Sequence, residues 1–295
     1  MTDRDPLVSI LTPSFNQGRW LADNLQSVRA QTYPEIEHVV MDGGSTDGTL
    51  SMLNGADDIR WTSEPDNGQT DALNKAFAQS TGSIIGWINS DDAYYSPTVV
   101  AEVVDSFRRY PDVAVVYGHA ALVNADSLVL HALWVPDFDP ELLDTFNYVI
   151  QPAAFFRREA VDGRFLDDRF ESAMDREFWL RLARGGRFVR LDRILAIDRH
   201  QPDRKVYTRP DLAQADLALL VREYGVDAAP SGDPRFKALK ICHRLAGLTL
   251  VPELLETPLA FPGRRDGALT TTMRQAFLPR RFMQIDGNSG AGEAA

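Results

Sequence analysis

The sequence has little of several things on which whole classes of protein depend. Cys242 is the single cysteine among 295 residues, which excludes an internal disulfide framework and fits a reducing compartment. No stretch reaches the roughly 18 consecutive apolar residues of a membrane-spanning helix. The polar start, residues 1–6, lacks the apolar core of a signal peptide. We therefore expect a cytoplasmic protein.

Positive charge and histidine are also scarce. Lys and Arg number 31 against 42 Asp and Glu, which gives a net charge of -11. Phosphate backbones are held by clustered Lys and Arg, so the balance argues against a nucleic-acid partner. Five histidines leave little for a metal-dependent phosphoesterase, which typically uses several as ligands. An anionic small ligand would need local compensation of charge.

The first hundred residues alternate short apolar runs with segments of helical periodicity. This order is typical of a mostly parallel sheet with helices on both faces, an α/β fold. The predicted strands are 7–12, 36–41, 58–62 and 83–88, and the predicted helices are 19–31, 49 onward, 69–79 and 97–110. Further on, 113–118 and 121–133 are predicted as two antiparallel strands, 149–157 and 189–198 as strands, and 175–183 and 212–224 as helices.

Carboxylates follow two of these strands and begin one of the helices. Asp91 and Asp92 come directly after the buried run that ends at Ile88, and Asp42 ends its strand before Gly-Gly-Ser-Thr-Asp-Gly. Ligands of parallel sheets bind beyond the carboxyl ends of the strands. Carboxylates there suit Mg²⁺ or Mn²⁺, although turn formation or helix capping explains each one equally well alone. Asp175, at a helix start, is either an N-cap or a general base.

In combination these segments resemble the family-2 glycosyltransferases of the GT-A fold. The matching pieces, in the order of that family, are VSILTPSFNQGRWLADNLQSVRAQTYPEIEHVVMDGGSTDGT, EPDNGQTDALNKAFAQSTGSIIGWINSDDAYY, QPAAFFRRE and MDREFWLRLARGG. The resemblance covers about residues 6–208. It implies a Rossmann-like, mostly parallel central sheet with helices on both faces. The helical spacing of residues beyond this range predicts a C-terminal helical extension in addition.

The resemblance also implies roles for individual residues. Asp92 matches the metal-binding end of the DxD-like motif, although Asp91 and Asp92 can exchange roles because Ser-Asp-Asp stands here. Asp175 matches the catalytic base, with Met174 where many relatives have Glu, and Glu177 is the second candidate base. The implied donor-binding residues are Thr12, Pro13, Ser14, Phe15, Asp42, Asp71, Asp91, Arg199 and Arg204, and the implied metal ligands are Asp92 and His200.

An inverting, metal-dependent glycosyltransferase follows from the resemblance. It would use Mn²⁺ or Mg²⁺ and a UDP- or dTDP-linked sugar, with a glycan, lipid-linked or small-molecule hydroxyl as acceptor. The alternatives are a non-catalytic nucleotide-sugar binding module and a metal-dependent phosphoesterase. Self-association stays open.

The chain divides into three predicted parts. The transferase domain is predicted to span residues 1–225, a linker and helical extension 226–262, and a flexible tail 263–295. Within the extension, 236–255 alternates basic and apolar residues with helical spacing. Such a helix lies either on an anionic membrane, as a peripheral contact at its inner face, or on its own domain or a partner subunit.

Overall fold

The computed structural model describes residues 5–202, 204–227 and 234–277. Its strands are β1 (Val8–Ser14), β2 (Ile36–Asp42), β3 (Arg60–Ser63), β4 (Ile84–Trp87), β5 (Val113–Asn124), β6 (Val129–Leu133), β7 (Ala154–Arg157) and β8 (Arg187–His200). Its helices are α1 (Gly18–Arg29), α2 (Thr49–Asn54), α3 (Gln69–Gln79), α4 (Val99–Arg109), α5 (Pro140–Thr145), α6 (Met174–Ala183), α7 (Lys205–Thr208), α8 (Pro210–Tyr224), α9 (Pro234–Ala246), α10 (Val251–Glu256) and α11 (Ala268–Phe277). Short 3-10 turns occupy Gln151–Ala153, Arg158–Ala160 and Gly247–Leu250.

All eight strands form one mixed sheet. The order is β3-β2-β1-β4-β7-β5-β6, and β8 pairs with β5. Strands β1 to β4 run parallel, β7 runs antiparallel to both β4 and β5, and β8 runs parallel to β5. Consequently β1, β2, β3, β4, β5 and β8 all end at the same edge, and the predicted α/β fold class is confirmed.

The sheet is buried on both faces, as the continuous apolar runs predict. Successive side chains of β1 go to opposite faces: Ile10 packs in a cluster with α4, and Leu11 in a cluster with α3 and α6. Both residues are fully buried. This two-sided burial holds the strand ends, and the loops that follow them, on a rigid base.

Strand β5 corrects the prediction of a break after Gly118. The strand continues to Asn124, and the hairpin turn lies in residues 125–128. A Cβ at Gly118 would lie 2.7 Å from Leu195 Cγ and 2.8 Å from the Arg193 carbonyl oxygen. The glycine therefore permits close approach of β8 inside the sheet rather than a turn.

The C-terminal segment differs from the expected flexible tail as far as residue 277. Leu128 and Arg264 form an isolated β-bridge, and helix α11 packs on β6, with Ala268 fully buried. Apolar residues of this segment thus complete a cluster at the end of the sheet. Residues 278–295 lie outside the described part of the chain. Among the described helices none is both long and apolar enough to cross a membrane.

Candidate active site

A cavity of about 870 Å³ opens at the carboxyl edge of the sheet. Strands β2 and β4 flank β1 on its two sides, so the chain leaves β1 and β4 in different directions. Such a switch point leaves a crevice between the loops that follow the strands. Here the loops 13–17 and 89–92 line the cavity, together with residues from the segments 147–152 and 171–175.

The structure brings seven of the predicted site residues into this cavity and leaves five out. Those that line it are Pro13, Ser14, Phe15, Asp91, Asp92, Asp175 and Arg204. Those that do not are Thr12, Asp42, Asp71, Arg199 and His200.

Three carboxylates gather at the ends of β4 and β8. Asp91 and Asp92 follow β4, and Asp198 lies two residues before the end of β8. Burial raises the pKa of Asp92 well above its usual value, and the negative charges of Asp91 and Asp198 raise it further. Burial likewise raises the pKa of Asp91, whose Oδ2 accepts a hydrogen bond from Gln201 over 3.2 Å. Arg204 Nη1 lies 3.0 Å from Asp198 Oδ1 and offsets part of this charge.

Arg199 contradicts its predicted role as a phosphate-binding residue. Its side chain is fully buried behind the carboxylate loop. Nε donates to the Asp91 carbonyl oxygen (2.6 Å), Nη1 to that of Asn124 (3.2 Å) and Nη2 to Asp23 Oδ2 (2.8 Å). The Arg199 backbone N–H donates to Asp92 Oδ1 (2.9 Å). With a further bond from Nη1 to Ser127 Oγ (2.9 Å), four of the five guanidinium N–H donors are used inside the protein. The side chain therefore holds the backbone of Asp91, and the Arg199 main chain holds the carboxylate of Asp92.

Asp42 also differs from its predicted contact with the nucleotide base. It is 1% exposed. Oδ2 accepts from the backbone N–H groups of Gly44 and Ser45 and from Ser63 Oγ, and Oδ1 accepts from Ser45 Oγ. In this geometry Asp42 stabilises the turn after β2 and does not line the cavity.

Thr12 and Asp71 stand outside the cavity for similar reasons. Thr12 is fully buried, and its Oγ1 pairs with His38 Nε2 over 2.9 Å. Asp71, in the first turn of α3, accepts from the Asn67 backbone N–H (3.0 Å) and lies 3.2 Å from Lys75 Nζ. Both stabilise the elements that carry the cavity loops.

His200 is not placed as a metal ligand. Its Nε2 lies 3.8 Å from Asp198 Oδ2, and its Nδ1 lies 3.5 Å from the Tyr207 hydroxyl. Those contacts place the ring beside Asp198, and His200 is not among the residues that line the cavity. The resemblance thus identified a histidine next to Asp198, but not one that lines the cavity.

The donor set at Asp91, Asp92 and Asp198 fits a hard divalent cation. All three offer oxygen ligands, and the negative charges of Asp91 and Asp198 add to burial in raising the pKa of Asp92. Within residues 5–202, 204–227 and 234–277, no group of three or more His, Cys, Asp or Glu forms a ready-made metal cage. Mg²⁺-type ions are typically held by one or two carboxylates together with substrate phosphates. The residues therefore fit a cation that a diphosphate helps to hold.

Asp175, in the first turn of α6, also lines the cavity. Burial raises the pKa of its carboxyl group, and hydrogen bonds from the backbone of Arg176 and from Asn147 partly oppose this. Asn147 Nδ2 donates to Asp175 Oδ2 over 3.0 Å. A carboxylate of raised pKa at a cavity wall is suited to accept a proton.

Glu177, the second candidate for a base, is excluded by its position. It is fully buried two residues further along α6. Its oxygens accept from Arg181 (3.0 and 3.1 Å) and from the Tyr224 hydroxyl (2.6 Å). The side chain thus joins α6 to α8 and does not reach the cavity.

Several lining residues carry roles that the sequence did not indicate. Asn89 Oδ1 accepts from Gln69 (2.7 Å) and from Trp87 Nε1 (3.0 Å), and its Nδ2 donates to Gln151 Oε1 (2.9 Å). This amide network forms the floor between the two sides. Asp198 ends a predicted strand, so the strand-end argument that found Asp91 and Asp92 would also have found it.

Comparison with known proteins places the chain among enzymes that transfer sugars. The family model described as "Glycosyl transferase family 2" matches residues 9–165. An uncharacterised glycosyltransferase of Mycobacterium tuberculosis is 36% identical over 186 residues, which cover 60% of this chain and 69% of that protein. The hyaluronan synthase of Pasteurella multocida is 32% identical over 201 residues, 65% of this chain but 20% of that longer protein.

Solved structures show the same fold at low identity. TarS of S. aureus in complex with UDP-GlcNAc superposes with a TM-score of 0.59 at 16% identity, covering 93% of this chain and 82% of that one. A mannosyltransferase of Pyrobaculum calidifontis in complex with GDP-Man and Mn²⁺ gives a TM-score of 0.58 at 20% identity, covering 85% and 74%. These neighbours are glycosyltransferases of the GT-A fold.

Proposed function

The chain belongs to glycosyl transferase family 2, and from this premise we propose that it is an inverting, metal-dependent enzyme. It moves a sugar from a UDP- or dTDP-linked donor to a hydroxyl group of a glycan, lipid-linked or small-molecule acceptor. Sugar transfer from a nucleotide sugar is the activity of the family. The nucleotide, the metal, the base and the acceptor are the proposed parts.

One observation supports the proposal above the others. A single cavity is lined by the carboxylates Asp91, Asp92 and Asp198, called the carboxylate wall below, and by Asp175, which a different element, helix α6, supplies. The first set suits a cation and the diphosphate it neutralises, and the second suits proton removal from an acceptor. A binding module without catalysis has no need for a base such as Asp175. A phosphoesterase commonly has more metal ligands than are gathered here.

The carboxylate wall binds the donor. A diphosphate beside Asp91, Asp92 and Asp198 would be repelled in a site of low dielectric constant unless a cation lay between them. When bound, the metal offsets the negative charge that develops on the leaving diphosphate. Arg204, whose Nη1 lies 3.0 Å from Asp198 Oδ1, supplies positive charge beside these carboxylates, and Lys205 also lines the cavity.

Asp175 activates the acceptor. In its carboxylate form, Asp175 takes the proton of the acceptor hydroxyl while that oxygen attacks the anomeric carbon. The attack comes from the face opposite the nucleoside diphosphate, so the bond to the diphosphate breaks as the new glycosidic bond forms and the configuration inverts. Asn147 holds the Asp175 side chain toward the cavity.

Thermal-shift measurements with nucleotide sugars test the donor side. We expect one nucleoside diphosphate class, with Mn²⁺ at saturating concentration, to raise Tm by about 5 °C. EDTA in excess should remove both the shift and the transfer of sugar. The Asp92→Ala variant should lose the Mn²⁺-dependent part, while Asp112→Ala, an exposed carboxylate at the opposite edge of the sheet, should keep it. Full activity in excess EDTA would overturn the metal dependence.

A further inference from the structure

Among the described side chains of helix α9, those that are half-buried lie along one stripe. Leu239, His243 and Ala246, spaced at helical intervals, are half-buried. His243 Nδ1 contacts the carbonyl oxygen of Trp134 at 2.5 Å. Beyond this stripe, the helix touches the chain at α11 and at the turn that follows it.

The opposite stripe of α9 is aliphatic and exposed. Ile241 is 58% exposed and Leu245 is 48% exposed, and a spacing of four residues puts them on one face. In the sequence both belong with Leu239 to the apolar residues of the segment 236–255, and the structure separates them, because Leu239 is half-buried. Soluble helices normally direct aliphatic residues inward, so this outward pair suggests a surface that covers it.

The length of α9 leads to the same conclusion. It has 13 residues, and isolated helices shorter than about 12 to 15 residues are marginal in water. Most of its described side chains are exposed, so packing on the protein supplies little of the missing stability. A covering surface would supply the rest.

Charge identifies what covers it. Residues 235–252 carry four Lys or Arg and no Asp or Glu, in a chain whose net charge is -11. Lys237 and Lys240, beside the aliphatic pair, are exposed. A basic patch with an aliphatic centre on an otherwise acidic protein is complementary to an anionic lipid surface.

A second copy of the chain fits this patch less well. In a two-fold contact each α9 would face its own copy, and Lys237 and Lys240 of the two copies would repel one another. The remaining exposed large apolar side chains, apart from Leu269 on the neighbouring α11, are single ones scattered over the described surface, as at Met52 and Val221. They offer no apolar patch to receive Ile241 and Leu245.

We propose that the outward face of α9 docks on an anionic lipid bilayer. Ile241 and Leu245 enter the headgroup region, and Lys237 and Lys240 lie beside the lipid phosphates. The contact is peripheral and independent of the transfer reaction. It places the protein at a membrane surface, where lipid-linked acceptors are found.

Co-sedimentation of the full chain with vesicles tests the proposal. We expect binding to vesicles of phosphatidylcholine mixed with phosphatidylglycerol, weaker binding in high salt, and little binding to phosphatidylcholine alone. The double variant Ile241→Asp with Leu245→Asp should lower the partition coefficient at least about tenfold. Lys237→Glu and Lys240→Glu should each lower it about fivefold.

The control is Val221→Asp on α8, a 39% exposed aliphatic position outside the patch, which should bind as the unaltered chain does. Circular dichroism verifies that every variant is folded. Absence of binding to the phosphatidylglycerol vesicles, or equal binding by the double variant, overturns the proposal. A dimer in sedimentation velocity that the double variant abolishes would assign the face to a second copy and also overturn it. Donor-induced thermal shifts should be the same in all variants, which separates this test from that of the transferase activity.

Discussion

Asn147 donates a hydrogen bond from Nδ2 to Asp175 Oδ2 over 3.0 Å, and both residues line the same cavity. Asn147 Oδ1 is buried and has no hydrogen-bond partner within the described part of the chain. The carboxamide thus holds one oxygen of the proposed base and leaves its own oxygen available to a ligand. In this way a loop residue after α5 positions a residue of α6.

Removal of this hydrogen bond should move the pH profile of transfer. The bond stabilises the ionised carboxylate and lowers its pKa, against the effect of burial, which raises it. In Asn147→Ala the pKa of Asp175 rises further, so the acid limb of the profile should shift to higher pH and kcat at low pH should fall. Asn147→Gln keeps a carboxamide donor and should lie nearer the parent. An unshifted acid limb in Asn147→Ala would show that Asn147 does not position the base.

Substitution of the base itself should separate binding from turnover. Asp175→Asn keeps the shape of the side chain but cannot accept the proton, and we expect kcat to fall about 10² to 10⁴-fold. The dissociation constant of the nucleotide sugar should change little, because the donor binds beside Asp91, Asp92 and Asp198. Asp144→Asn, an exposed carboxylate in α5, is the matched control. Unchanged turnover in Asp175→Asn would remove this residue as the base.

Substitution of Arg199 should lower the free energy of unfolding and also weaken the binding of the metal. Its buried ion pair with Asp23 spans 2.8 Å, and loss of one partner from such a pair costs about 3 to 5 kcal/mol. Arg199→Met should therefore lower the free energy of unfolding by that order in urea titrations. Arg199→Lys should lose less stability, because it keeps a charge, yet it should still weaken the Mn²⁺-dependent thermal shift, since the Asp91 loop loses its fork of donors.

Arg19→Met is the control for this experiment. Arg19 forms an exposed ion pair with Asp126, and both side chains are more than half exposed, so the cost should stay under about 1 kcal/mol. If Arg199→Lys retained the full Mn²⁺-dependent shift, the positioning role of Arg199 would be rejected and only a structural role would remain.

Two buried histidines should make stability fall as the solution becomes acidic. Burial lowers the pKa of His38 and of His131 to about 4, from a usual value of 6.5. Because the folded pKa lies below the unfolded one, the unfolded chain binds more protons between pH 6.5 and 4. The contribution of the two neutral histidines to the free energy of unfolding is therefore fully present above pH 6.5, and it is lost as the pH falls from 6.5 to 4.

Each histidine should account for about 2 kcal/mol between pH 7 and pH 5. Urea titrations of the parent and of His38→Gln at pH 7 and at pH 5 isolate this effect from the carboxylates, whose pKa values are raised at some positions, as at Asp92, and lowered at others, as at Asp167. The difference between the two pH values should shrink by that amount in the variant. An equal pH dependence in parent and variant would contradict a neutral buried His38.

The sequence alone was sufficient for most of the architecture. The apolar runs of β1, β2 and β4 and the periodicity of α1, α3 and α6 predicted their elements to within a few residues, because burial on both faces of a parallel sheet demands such runs. The family resemblance was carried by motifs at the strand ends and is confirmed. The prediction was wrong at Gly118, because local propensity cannot reveal that a neighbouring strand needs the space of a missing side chain.

The sequence determined which chemical groups this protein has and that carboxylates from distant segments end at one edge of the sheet. Only the tertiary structure decided what each group faces. Arg199 and Asp42 carry the residue types of a binding site, but their hydrogen bonds are used behind it. Ile241 carries the residue type of a core, but it faces outward. The reason is physical: pattern along a chain reports what a side chain can do, whereas burial and hydrogen-bond partners depend on chain segments that are remote in sequence.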